Sequence, residues 1–192
     1  FVADVSGLYT VNAHFGNITS STKIKVTDRD IKRDIVQLGT GDVFDKHTSD
    51  AWFFEGVDGK DYGVSGTFFD GQAYFWDVSD PINITKVDSI KVDARIVNDV
   101  KVSKDSKICI ITKEGASNRK NGFVILDVTN PSDVKVLSEY TDGLTGGVHN
   151  VFIDNNHVYA LNAFGNPAKF EVVNIEDPKN PKGVGKFELE LG

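Results

Sequence analysis

The 192-residue sequence predicts an all-β protein, and three observations carry that prediction. The phrase DVSDP at 77–81 returns as DVTNP at 127–131 and as NIEDP at 174–178, so Pro81, Pro131 and Pro178 stand 50 and 47 residues apart. Around each proline the same four β segments can be traced; the second unit reads VNDVKVS, KICIITK, GFVILDV and VKVLSEY. In the third of these, Phe123 and Ile125 point to one side of a strand and Val124 and Leu126 to the other, so the sheet must be covered on both faces. No stretch carries a 3.6-residue apolar period, so helix content should be close to nil. A period near 50 residues with both sheet faces buried fits blades stacked around an axis, whereas a two-sheet sandwich would leave one face wet. The expected architecture is a partial β-propeller of three four-stranded antiparallel blades behind an N-terminal β-hairpin.

The hairpin comes first. Leu8 to His14 alternates around Tyr9 and Val11, Gly16-Asn17 supplies a tight turn, and Thr22 to Val26 alternates again. The approach, Asp4-Val5-Ser6-Gly7-Leu8-Tyr9, resembles the segment of immunoglobulin-like domains in which a tyrosine hydroxyl ties the corner before the penultimate strand to the main chain. Val11 stands where a disulfide-bearing member carries cysteine, so the resemblance implies a disulfide-free relative and covers only the last two strands of that fold. Residues 1–27 are read as this hairpin and 28–192 as the propeller segment.

Asp34 to Gly41, DIVQLGTG, precedes the first strand of the first blade. By strand order, a closing strand is expected at about 31–41, belonging to a blade that is not in the sequence. Blades follow at about 47–92, 93–141 and 142–192. The repeated phrase is the turn between third and fourth strands. Asp80, Asn130 or Asp177 opens it, and proline, with φ already fixed, takes the second position. Asp77 and Asp127 at the strand exit are expected to accept nearby main-chain N–H groups.

The segments AYFWDVSDPINITKV, FVILDVTNPSDVKVL and FEVVNIEDPKNPKGVGKF resemble LVIVD repeats, propeller units found chiefly in bacterial and archaeal secreted or surface proteins. The third keeps the family's tail as Pro178, Pro181, Val184 and Gly185, whereas Ile84 and Val134 replace the second proline in the others. Other propeller classes fit less well: Trp76-Asp77 has no repeated counterpart, and the double glycine Gly146-Gly147 does not recur. The resemblance implies a fold and an extracytoplasmic habitat, on the cell surface, secreted or periplasmic, and brings no catalytic residues. Three blades do not close a ring, since rings take about four to eight. The reading therefore expects the polypeptide to continue past Gly192 with further blades, with association of two copies as three plus three blades as the alternative. A chain that starts at Phe1 and contains no Met is read likewise as a processed product or a piece of something longer.

Composition narrows the partners. A net charge of −7 argues against nucleic acid, whose phosphates demand a concentrated basic surface. No apolar run reaches the roughly 18 residues of a membrane span, and no signal-peptide core is present. The single cysteine, Cys109, lies in an apolar strand and reads as a small buried hydrophobe. His14, His47 and His157 lack metal-ligand spacing, and DVFDKHTSD at 42–50 lacks the alternation of a calcium loop. No cofactor, metal site or catalytic residue is assigned.

The mouth of the axial channel, where innermost strands begin, is the place to look for a site. Aligning first strands puts Ser49-Asp50, Asn98-Asp99 and His149-Asn150 at equivalent positions. These six residues are the candidate binding site for polar groups of a protein or glycan ligand. Two readings stay open: a non-enzymatic scaffold or recognition module acting through blade loops, and a channel-mouth hydrolase or metal-dependent enzyme using Asp50, Asp99 and His149. Convergence of those three side chains on one pocket would favour the enzyme, and attachment to main-chain groups along blade interfaces the module.

Overall fold

The computed structural model describes residues 5–28, 34–43, 45–162 and 168–189, and the chain divides into two compact units, Phe1–Gln37 and Leu38–Gly192. No helix occurs among the described residues, hence none long and apolar enough to cross a membrane.

In the first unit β1 (Gly7–Phe15) pairs antiparallel with β2 (Ile18–Val26), Phe15 facing Ile18 across a two-residue loop. Gly16 takes φ 56°, a left-handed conformation that tight hairpin loops demand and that glycine adopts at little cost. Tyr9 donates its hydroxyl to the Val5 carbonyl oxygen at 2.6 Å, which ties the entry of β1 to its own main chain.

The second unit holds three four-stranded antiparallel sheets, each running in chain order. The first blade is β3 (His47–Glu55), β4 (Asp61–Phe68), β5 (Gln72–Asp77) and β6 (Thr85–Lys91). The second is β7 (Val100–Val102), β8 (Ile108–Lys113), β9 (Gly122–Asp127) and β10 (Lys135–Tyr140). The third is β11 (Val148–Asp154), β12 (His157–Asn162), β13 (Ala168–Asn174) and β14 (Lys182–Leu189). Together they form a partial multi-blade propeller-like arrangement.

The sheets pack face to face. One core joins Val64, Ala73 and Phe75 of the first blade to Cys109, Ile111, Val124 and Leu126 of the second. A separate core joins Ile110, Phe123 and Ile125 to Val158, Ala160 and Val173 of the third. Four consecutive residues of β9, Phe123 to Leu126, are thus fully buried, alternate ones in alternate seams. Burial also pushes the Cys109 thiol well above its ordinary pKa, which leaves it un-ionised and unreactive.

The thrice-written phrase folds the same way each time. Asn83 N–H donates to the Asp80 carbonyl, Asp133 to Asn130 and Asn180 to Asp177, at 2.9–3.0 Å, with proline second in each turn. The side chains of Asp80, Asn130 and Asp177 accept the N–H two residues on. Upstream, Asp77, Asp127 and Asn174 do the same for Ser79, Thr129 and Glu176. Two side-chain-to-main-chain bonds in succession therefore satisfy the chain as it leaves the third strand.

Of the closing strand expected at about 31–41, residues 31–33 lie outside the described residues. Residues 34–43 form no ladder among the described residues, and each of the three blades has its four strands without them. The backbone instead runs tightly past the Pro81 turn: a Cβ on Gly39 would lie 2.2 Å from the Pro81 carbonyl oxygen, and one on Gly41 would lie 3.0 Å from the Trp76 ring.

Ile125→Ala and Leu126→Ala, adjacent in sequence, open different seams. Each is expected to cost about 2–5 kcal/mol by urea unfolding; a strand with one wet face would show that cost for only one of them.

Candidate functional site

The first strands β3, β7 and β11 are short or bulged where the candidate residues lie. The β3–β4 register shifts between Thr48 and Ala51, and that of β11–β12 between Val148 and Asn150. Bulges re-aim side chains. Ladder partners fix the equivalence of the blades: Ala51 pairs with Ser65, Val100 with Ile111 and Val151 with Ala160. Asp50, Asp99 and Asn150 each precede such a residue.

A rule repeats across the seams. The Asp50 carboxylate accepts the N–H of Val100 in the second blade at 3.3 Å, and Asp99 accepts the N–H of Val151 in the third at 2.7 Å. One position earlier, Ser49 donates its hydroxyl to the Val97 carbonyl, and Asn98 donates its amide to the His149 carbonyl at 2.7 Å. The first and second blades thus each hold a main-chain donor and a main-chain acceptor of the blade that follows. Asp99 is buried and its neighbours complete its shell, since the Val100 N–H donates to Oδ1 at 3.1 Å and the Lys101 ammonium donates to the same oxygen.

Lys101 joins the two carboxylates. Its Nζ donates to Asp50 at 2.9 Å as well as to Asp99, and lies 5.0 Å from the centre of the Trp52 ring. Burial resists the charge on Asp50, but Asp99, Lys101 and the Val100 N–H outweigh it and hold the carboxyl at about 2. Asp99 is pushed above the ordinary carboxylate value by burial, with Asp50 adding to the effect against Lys101 and the Val151 N–H. Burial also works against the Lys101 charge, and the two carboxylates more than restore it. The carboxylates therefore titrate as a pair, Asp50 ionising first.

His149 is not part of this group. Its side chain is exposed, and Nδ1 lies 3.3 Å from the Asn98 amide and 3.7 Å from Oε1 of Glu114. Glu114 is buried, its Oε1 has no hydrogen-bond partner, and burial raises its carboxyl, opposed by His149 and Arg95. Asn150 is exposed. Ser49 and Asp50 also line a cavity of about 320 Å³ on the first blade, walled by Ala51, Phe53, Gly63 and Trp76; Asn98, Asp99, His149 and Asn150 do not line it. Asp50 and Asp99 thus come together, and His149 stands apart. Among the described residues no group of three or more His, Cys, Asp or Glu is placed to hold a metal ion.

Sequence reasoning missed Lys101 and Glu114. Lys101 left a signal: it is the lone charge in a column whose other members, by ladder position, are Trp52 and Phe152. Glu114 left none, because its burial comes from a bridge between Ile96 and Glu114 that lies outside the repeated strands.

No protein-family signature and no curated protein matches the sequence. Solved structures share the fold. A protein of Bacteroides uniformis, proposed as a 6-phosphogluconolactonase, superposes with a TM-score of 0.63 at 14% identity over 94% of this chain and 48% of its own. A protein of Bacteroides fragilis, also proposed as a 6-phosphogluconolactonase, gives 0.60 at 12% over 74% of this chain and 39% of its own. A hypothetical selenium-binding protein of Sulfolobus tokodaii gives 0.59 at 13% over 74% and 38%. The chain spans less than half the length of each of these proteins, and at such identities the likeness concerns the fold alone: an all-β, propeller-related arrangement.

Asp99→Ala leaves the buried Val151 N–H without its side-chain acceptor and the Lys101 ammonium with Asp50 as its one remaining carboxylate, and is expected to cost about 1–3 kcal/mol, more than Asp50→Ala, because Asp50 is partly solvated. The depressed Asp50 pKa gives stability that is present above the ordinary value of 3.8 and lost as pH falls toward about 2; the raised Asp99 works in the opposite sense, present in acid and lost as pH rises. Asp50→Asn should therefore be less stable at neutral pH and show a flatter loss of stability between about pH 4 and about pH 2, followed by thermal unfolding across pH.

Proposed function

We propose that this chain is a non-enzymatic scaffold or recognition module of the LVIVD-repeat type, working outside the cytoplasm and meeting a protein or glycan through blade loops. The observation that carries the reading is the use of the mouth residues: Asp50, Asp99, Ser49 and Asn98 are occupied by main-chain groups of the next blade. Chemistry for a partner then falls to the loops. The best-built of them joins β8 to β9. Asp93 accepts both the N–H and the hydroxyl of Ser117, the Asn121 side chain accepts the Ala116 N–H, and its amide donates to the Thr145 carbonyl on the way to the third blade. Anchored at both shoulders, this loop presents Asn118, Arg119 and Lys120 to solvent in a fixed conformation, with Arg119 at φ 59°. Preorganisation of this kind lowers the entropic cost of binding. The Tyr9–Val5 bond supports reading the hairpin as the end of an immunoglobulin-like domain, a common companion of surface modules.

A second reading, a hydrolase, draws support from the juxtaposed Asp50 and Asp99 and from Glu114 beside His149, and from solved relatives proposed as 6-phosphogluconolactonases.

Screening against peptide and glycan arrays separates the two. The module reading expects a retained ligand whose binding falls at least tenfold in Asn118→Ala/Arg119→Ala with an unchanged melting temperature. Hydrolysis of 6-phosphogluconolactone above the buffer rate that disappears in Asp50→Asn would replace it with the hydrolase.

A further inference from the structure

The turn between β4 and β5 and the loop between β8 and β9 are joined by the segment at 92–95. Val92 donates its N–H to the Gly71 carbonyl at 2.9 Å, and a Cβ on Gly71 would lie 2.3 Å from the Ala94 carbonyl oxygen. On the loop side the Asp93 carboxylate holds Ser117, the Arg95 N–H donates to the Glu114 carbonyl at 2.8 Å, and a Cβ on Gly115 would lie 2.8 Å from that of Arg95. Contacts this close make turn, segment and loop one surface.

That surface carries an aromatic ring the core does not use. Phe69 is 68% exposed, yet its backbone takes φ 66°. A bulky residue in the left-handed region is strained, and strain of this kind gathers at binding sites. The ring is nevertheless held in place, with the Arg95 guanidinium 5.8 Å from its centre and the Phe68 ring tilted against it at 6.0 Å.

The surface also gathers positive charge on a chain whose net charge is −7. Arg95 and Arg119 are the two arginines among the described residues; both are exposed, as is Lys120. None of the three forms an ion pair among the described residues. The carboxylates of the same segments are engaged or buried: Asp70 lies beside Lys46 and Lys91, Asp93 holds Ser117, and Glu114 is buried.

We propose that this surface binds an acidic glycan, a chain of sugar rings bearing carboxylates, with Phe69 against the C–H face of a ring and Arg95 and Arg119 on carboxylates. The inference rests on the recognition reading and narrows its partner. A guanidinium presents a planar fork that matches the two oxygens of a carboxylate. A sugar ring supplies that carboxylate and a flat apolar face in one rigid unit, so an anchored aromatic and an anchored cation can be met together at low entropic cost. An acidic peptide carries its carboxylates on flexible stems, and a surface made of a turn and a loop gives its main chain no open strand edge to pair with.

Titration of the full chain with polygalacturonate, against dextran sulfate, neutral dextran and polyglutamate, tests it. Polygalacturonate is expected to bind, less well as salt rises, and the other three about tenfold more weakly or worse. Arg95→Gln should lower the affinity about tenfold. Phe69→Gly should lower it about fivefold while the melting temperature holds or rises, because glycine adopts φ 66° without strain. Dextran sulfate bound as tightly overturns the proposal in favour of general attraction for polyanions, and polyglutamate bound as tightly overturns it in favour of a peptide. Unchanged affinity in Phe69→Gly overturns it as well, as does no binding of polygalacturonate. In that last case another ligand retained on the arrays leaves the recognition reading standing, and blank arrays remove both.

Discussion

Burial of a β-sheet on both faces is the constraint on which the second unit rests. A four-stranded sheet with oily residues on each side is insoluble alone and acquires a stable place only between two others. The second blade meets this condition through β9, whose alternate side chains serve alternate cores. Apolar contact is non-directional, so by itself it would let neighbouring sheets slide. The hydrogen bonds of Asp50, Asp99, Ser49 and Asn98 to main-chain groups of the next blade supply the missing direction, since each demands one atom at one place. Packing provides the free energy, and the carboxylates and amides provide the register.

That division of labour explains why a buried Asp99 is tolerated. An isolated carboxylate in such a position would be too costly to keep charged. Here Lys101, two N–H groups and a second carboxylate form a compact network, with Trp52 contributing the face of its ring to the ammonium. The network lies at the seam of the first two blades, and in the third blade the lysine column is occupied by Phe152. The seams therefore share a main-chain grammar but differ in side-chain chemistry.

Much of the fold was legible because the chain states it three times. The proline phrase gave the turns, their opening residues and the roles of Asp77 and Asp127, all set by interactions within six residues. The double-sided strand at 123–126 gave the stacking, because period 2 in a strand leaves no freedom in where adjacent side chains point. The stretch at 34–41 was less legible. It was read as a strand from strand order alone, and strand formation depends on a partner edge, which no local pattern can report. The candidate site was legible in position and not in use. Alignment placed Ser49, Asp50, Asn98 and Asp99 at equivalent points, whereas their partners Val97, Val100, His149 and Val151 lie about 50 residues away, beyond any local rule. Lys101 and Glu114 escaped because the burial of each depends on residues of other strands.

The Asx-and-proline turn has a consequence for ancestry. Because the Asx bonds and the main-chain bond across the bend are made within its own few residues, each unit brings the geometry of this turn with it. Tandem duplication or loss of a whole unit, with crossovers falling in these bends, would leave every remaining bend intact. Gene length in such a lineage can drift in whole units, while selection works separately on the facing surfaces that must still match whichever neighbour recombination leaves beside them.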